Sequence, residues 1–162
     1  MQQNFLSPIG FRFVIKRLPK VSFFVQSAII PGVSGGPTTT PTPFRDMKFV
    51  GDKTRFEPFS INVRLDENME SYLEVYNWLI ASTKGNSYDQ FKSLDTSEFG
   101  IYSDASLVIL NSRSNANIEF QFKDIFPIAI GALNFDTTQG DVNYISCDMT
   151  FEYNGFDVKA ID

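Results

Sequence analysis

The groups in this chain with the means to do chemistry are its carboxylates, and Asp148 and Glu152 are the pair whose spacing invites a test. Two carboxylates can divide acid and nucleophile roles across a glycosidic bond when they stand about 5–5.5 Å apart. Four residues along one strand separate this pair by about 13 Å, too far to act together. Carboxylates on different strands could still meet, but no spacing marks such a pair. Asp136 and Asp141 bracket a turn at Gly140, where Asp serves by bonding its own backbone. The chain contains no His, which removes the usual proton carrier near neutral pH and the commonest zinc ligand. Ser-His-Asp and Cys-His arrangements are excluded with it, as are metal centres built on Cys and His. No Gly-x-Gly-x-x-Gly follows a strand pattern and no Gly-x-x-x-x-Gly-Lys-Ser/Thr occurs, so the reading is of no enzyme and no cofactor. The lone Cys147 has Ile145, Met149 and Phe151 on its side of a strand, which predicts a buried, inert thiol.

With 162 residues, 43% of them hydrophobic and seventeen of them Phe, the chain reads as one folded domain, residues 1–162, with a sizeable core. Most of the aromatics fall on alternating strand faces or on a helical stripe, where core packing accounts for them better than sugar platforms. Trp78 is open between a core anchor and an interface residue. The net charge of −5 argues against a protein that grips phosphate backbones. No run of eighteen apolar residues occurs, and Met1-Gln2-Gln3-Asn4 lacks the features of a signal peptide. The expectation is a chain that neither spans a membrane nor is conventionally secreted.

The elements that position these residues are mostly strands. Phe11 to Arg17 and Val21 to Ile30 read as two, the second with both faces covered. Residues 31–43 then carry four prolines and three glycines, excluding helix and central strand. This excursion, extending to residue 56, is either a mobile surface loop or an arm laid on a neighbouring subunit. Apolar flanks, Ile29-Ile30 before and Phe44, Met47, Phe49 and Val50 after, favour the arm, with Pro31, Gly32, Val33, Pro37, Pro41 and Pro43 as its other candidate residues.

Phe59 to Leu65 alternates cleanly, with Phe59, Ile61, Val63 and Leu65 inward. Asp66 is the expected N-cap of a helix with Glu67 and Glu70 in its first turn. Met69, Leu73, Tyr76 and Ile80, flanked by Tyr72 and Leu79, form its apolar stripe, and the helix is expected to stop near Lys84-Gly85. Residues 86–104 read as polar and irregular. Ser106 to Leu110 and Ile118 to Lys123 make a hairpin across a turn at residues 111–117. Phe126 to Asp136 and Ile145 to Tyr153 add a further strand pair. The expected core includes Phe120, Phe122, Met149 and Phe151. The fold class is mainly β with one α-helix: an antiparallel β-sandwich or barrel of two packed sheets flanked by that helix.

Gly51-Asp52-Lys53-Thr54, the alternating strand after it, an acidic turn, the Trp78 helix and a Pro127-containing strand pair closing on Phe151-Glu152-Tyr153 follow one another in a specific order. Over roughly residues 8–156 this order resembles the tail tube proteins of contractile-tailed bacteriophages such as T4. The resemblance implies two orthogonally packed sheets, homo-hexameric rings and their stacking into a tube within the virion tail, assembled in the host cytoplasm. It implies sheath, baseplate and tail-terminator proteins as partners, with DNA only as passing cargo. The Thr/Pro-rich stretch 35–43 departs from the shorter T4 equivalent. Alternatives are a tube-initiator protein at the baseplate, a type VI-like tube subunit, or a non-viral β-sandwich binding module. Two polar strand faces are candidates for the lumen, Ser60, Asn62 and Arg64 or Glu119, Gln121 and Lys123, each alternating with apolar neighbours.

Overall fold

A computed structural model describes residues 5–83, 100–138 and 143–161, together with residues 89, 92 and 140. The expectations at Lys84-Gly85, across residues 86–99 apart from 89 and 92, and at Asp141 therefore lie outside the described residues.

Two long paired runs of chain form the frame. Strand β9 (Ala116–Ile130) is flanked along one side by β10 (Ser146–Glu152) and then by β11 (Gly155–Ala160), both antiparallel to it. The runs turn together at Asp124 and Asn154. Asp124 adopts φ 53, a left-handed conformation that a short polar residue tolerates, and its carboxylate accepts from Asn154 Nδ2 at 2.8 Å. Sequence reading splits β9 in two and ends the chain's last strand at Tyr153. In the structure Phe126–Ile130 continues β9, and Gly155–Ala160 is an unanticipated strand.

The turn divides the strands into two sheets. On one, β1 (Phe11–Ile15) pairs β8 (Ser103–Leu110), which pairs the first half of β9, with β11 beyond. On the other, the second half of β9 pairs β10, then β7 (Phe59–Arg64), then β2 (Val25–Ile29). Alternation places Phe13, Ile15, Ala105, Leu107 and Phe122 of the first sheet against Phe59, Ile61, Val63, Cys147, Met149 and Phe151 of the second, all buried. Cys147 is the buried thiol expected, and burial pushes it up from its ordinary pKa. Pro127 sits in β9 where the β10 register slips by one residue, a position at which the missing N–H breaks no regular ladder.

The sheets part opposite this corner, between β1 and β2. The segment joining them was expected to continue as strand, but Pro19–Phe24 is a short helix, α1. Pro19 starts it without needing a donor, and Ser22 Oγ donates to the Leu18 carbonyl while accepting from Ile15 N–H at 3.0 Å. Leu18 and Val21 plug that end of the mouth, while Phe23, expected to be covered, is 81% exposed.

Helix α2 (Glu70–Ser82) begins later than its spacing suggests, leaving Glu67 outside it. Asp66 still caps, its Oδ1 accepting from Glu70 N–H at 3.0 Å. The buried face is Ser71, Val75 and Trp78, so the expected stripe has the right period and the wrong phase: Leu73 is 49% and Tyr76 39% exposed. Ile80 and Phe120 are half-buried. Trp78 is a core residue. Its ring lies 6.4 Å from Phe151, carries the Arg17 guanidinium at 5.0 Å, and donates from Nε1 to the Ile101 carbonyl at 2.9 Å.

At the contact between the helices, Lys20 pairs Glu70 at 2.6 Å. One carboxylate oxygen of Glu74 is buried with no hydrogen-bond partner among the described residues. Burial raises the Glu74 pKa; Lys20 opposes the rise and Glu70 adds to it. A carboxyl whose folded value lies above its unfolded one favours the fold at low pH, and that contribution is lost as pH rises through the folded value. Glu74→Gln should therefore raise the melting temperature at pH 7 and lose its advantage in acid, where the wild-type carboxyl is protonated. Paired thermal melts check this; a variant melting lower than wild type at pH 7 would show that the ionised group is the stabilising form.

Candidate functional site

Residues 31–57 form an arm. Strand β3 (Val33–Gly35) pairs β6 (Thr54–Phe56), and further out β4 (Thr38–Thr40) pairs β5 (Met47–Phe49), so the Pro/Gly-rich excursion is a two-part hairpin. The prolines stand where no ladder donor is needed: Pro37 between the two short ladders, Pro41 and Pro43 at the tip. Thr42 Oγ1 donates to the Arg45 carbonyl to close that tip. The strands cross closely at the break, where a Cβ on Gly51 would fall 1.7 Å from the Gly36 carbonyl oxygen, so only glycine fits.

The base of the arm is fixed to the body. Gly32 N–H donates to Glu57 Oε2 at 3.3 Å, Glu57 N–H to the Gly32 carbonyl at 3.0 Å, and Tyr153 Oη to the Glu57 carbonyl at 2.8 Å. Burial, with smaller contributions from Glu152 and Glu57, pushes the Tyr153 phenol up to about 12, so it stays a donor. Phe56 rests on Phe156 and Tyr153 at 5.5 and 6.0 Å; Phe122 packs beneath both, and Phe59 beneath Phe122 at 4.6 Å. Ring contacts thus run without a gap from the core to the arm. Pro31 is buried at the root, but all residues of β3 to β6 are exposed, and Phe44 at the tip is 98% exposed.

The two candidate lumen sets occupy the outer faces of different sheets. Ser60, Asn62 and Arg64 of β7 pair with Thr150, Asp148 and Ser146 of β10, and Ser27 of β2 lies beside Asn62. Asn62 Nδ2 donates to Asp148 Oδ1 at 2.7 Å and to Ser146 Oγ at 3.3 Å. Arg64 lies 3.8 Å from the Tyr144 ring centroid. This wall is small, polar and sparsely charged. Glu119, Gln121 and Lys123 lie on the other sheet beside Lys159, Asp157 and Gly155. Gln121 joins Glu119 at 2.9 Å and Lys159 at 2.7 Å, and Lys123 pairs Asp157 at 2.6 Å, which draws the Asp157 carboxyl below its ordinary range. That face is densely ionic.

Each sheet ends in unpaired edges: β1 and β11 on the first, β2 and the Phe126–Ile130 stretch of β9 on the second. Between β1 and β2, at the end of the mouth away from α1, lies a groove of about 320 Å³ whose walls include Leu6, Phe11, Ala28, Ile30, Leu107 and Ile109. Sequence reasoning misses this groove, because its walls come from three separated segments. No group of three or more His, Cys, Asp or Glu among the described residues is placed to hold a metal ion, and no described helix is long and apolar enough to cross a membrane.

No protein-family model matches the chain, and no curated protein matches it in sequence. The likeness to solved structures is one of fold. A chain from the tube-terminating cap of the anti-feeding prophage matches with a TM-score of 0.66 over 99% of this chain and 95% of its own, at 11% identity. One from the six-fold symmetrised baseplate of the same particle gives 0.63 over 98% and 97%, at 8% identity. One from the extended sheath-tube complex of an extracellular contractile injection system gives 0.61 over 96% and 92%, at 12% identity. The mainly β, antiparallel fold with one main helix is thus shared, nearly end to end, with chains of contractile injection particles.

Proposed function

We propose that this chain is a non-catalytic structural subunit of a contractile tail, with copies that close into rings of six and stack into a hollow tube for genome passage. The observation that carries the reading is the second sheet: four strands with both edges unpaired, a dry face on the core and a small polar face outside. An isolated sheet with such edges risks uncontrolled pairing, and closure around a ring removes the edges. In this reading β2 of one copy meets Phe126–Ile130 of the next, and the wall facing the channel carries Ser60, Asn62 and Arg64. The ionic face with Glu119, Gln121 and Lys123 belongs to the outer layer. Sheath, baseplate and terminator proteins are the expected partners, with the virion tail as the location.

Mass photometry and negative-stain imaging of the purified protein test this directly. Rings of six, or tubes built from them, are expected; monomers at every concentration would sink the proposal. A second reading, a subunit at one end of the tube, is favoured by the cap and baseplate chains matching as well as the sheath-tube chain. It predicts single rings that never lengthen.

The wall itself gives a prediction. Arg64 is accompanied on that face by Asp148 and Glu152, so a passing polyanion meets no continuous cationic track. Ser60→Lys with Asn62→Lys should slow genome ejection from a reconstituted particle, while lysines at Glu119 and Gln121 should leave it unchanged. The reverse pattern would assign the lumen to the other sheet.

A further inference from the structure

We infer that the groove between β1 and β2 is the receptor for the arm of another copy of this chain, with the tip residues Phe44, Met47 and Phe49 as its occupants. The inference rests on the tube reading and adds where the arm lands. Two exposed apolar features on the molecule need covering. One is the outer arm, where Phe49 and Met47 stand opposite Thr38 and Thr40 and Phe44 is 98% exposed. The other is the groove, continued at its rim by exposed Leu6, Ile9, Ile29 and Ile30.

Geometry forbids the two from meeting within one molecule. The arm leaves the body at Pro31, next to the groove wall at Ile30, and its hairpin carries the tip away. Eight residues of extended chain from Val33 to Thr40 span roughly 26 Å. The root is held by Glu57 and Tyr153, so the arm cannot fold back at its base. An apolar tip and an apolar groove on one chain, out of each other's reach, make a head-to-tail contact: each copy gives its arm to one neighbour and receives another's. Such heterologous contacts propagate or close into rings. The groove also separates two unpaired strand edges, so an incoming extended segment finds backbone donors and acceptors beside the apolar lining.

Cysteine cross-linking tests the inference. Ser7 lines the groove and is half-buried, and the resident Cys147 is 1% exposed and does not compete. Ser7→Cys is combined with Phe44→Cys in one protein and with Met47→Cys in another, and both are oxidised after assembly. A ladder of disulfide-linked multimers from at least one double variant, absent from all single variants, is the expected result. Assembled protein that gives no ladder with either pair overturns the groove and leaves the tube reading standing. So does mass-spectrometric mapping that finds the tip cysteines captured at another surface. Protein that stays monomeric by mass photometry overturns both.

Discussion

Replacing residues 35–43 with a Gly-Ser linker of equal length should leave a folded protein that stays monomeric at concentrations where the wild type polymerises. The replacement removes β4, so β5 loses its ladder partner and Met47 and Phe49 are no longer presented on a strand. Each Phe or Met side chain buried at a contact contributes about 1.5–3 kcal/mol, and about 1.4 kcal/mol is tenfold in a binding constant. A contact repeated at every subunit multiplies that loss along the assembly. The body should not notice. The replaced residues are exposed, and the arm's root bonds at Gly32 and Glu57 are untouched. Circular dichroism should give an unchanged melting temperature while mass photometry shows the loss of rings. Polymerisation at wild-type levels would rule out the arm as an assembly element.

Phe151→Ala should destabilise the fold by about 3–5 kcal/mol. Phe151 is 0% exposed, lies in β10 opposite Phe59 and Pro127, and packs 6.4 Å from Trp78, so one truncation opens a void between the second sheet and the helix. The register slip beside it makes collapse into that void harder, since neither β9 nor β10 can slide without breaking the ladder on one side. Chemical denaturation with an unchanged m-value checks the prediction. A loss under about 1 kcal/mol would mean that the core repacks around the smaller side chain.

The sheet pattern was legible wherever one face is dry and the other wet. Phe59, Ile61 and Val63 on β7 and Cys147, Met149 and Phe151 on β10 announce their buried side by alternation alone. Helix α2 was legible in period but not in phase. Its inward face uses Ser71 and Val75 beside the single large Trp78, while Leu73 and Tyr76 look outward. Three- and four-residue spacing reports which residues share a face and is silent about which face meets the core. Helix α1 was read as strand because Val21, Phe23, Phe24 and Val25 are β-formers. Pro19 and the Ser22 hydroxyl, which bonds across the turn to Ile15 and Leu18, override that preference. The continuity of β9 was hidden by Pro127 and by Asp124, both ordinary marks of a break; here one sits at a register slip and the other at the corner. Strand β11, short and terminal, carries only Phe156 and Val158 as apolar alternation. The lumen sets were each recognisable as a polar face, but only pairing shows that they belong to opposite layers of the sandwich.

The order in which the mouth between β1 and β2 can form has a kinetic consequence. Its walls come from residues 6–11, 26–30 and 107–109, and β1 is held in place only by β8, whose register joins Phe11 to Ile109. β2 in turn rests on β7, which needs β10 near the end of the chain to complete its ladder. Contacts so distant in sequence close late, because loop-closure entropy must be met before they contribute. The arm's short local ladders lie between residues 33 and 56 and need none of these. A chain emerging from the ribosome therefore displays its plug long before it owns a socket. Nascent chains, all at the plug-only stage, have nothing to join, and polymerisation waits until synthesis and folding are complete.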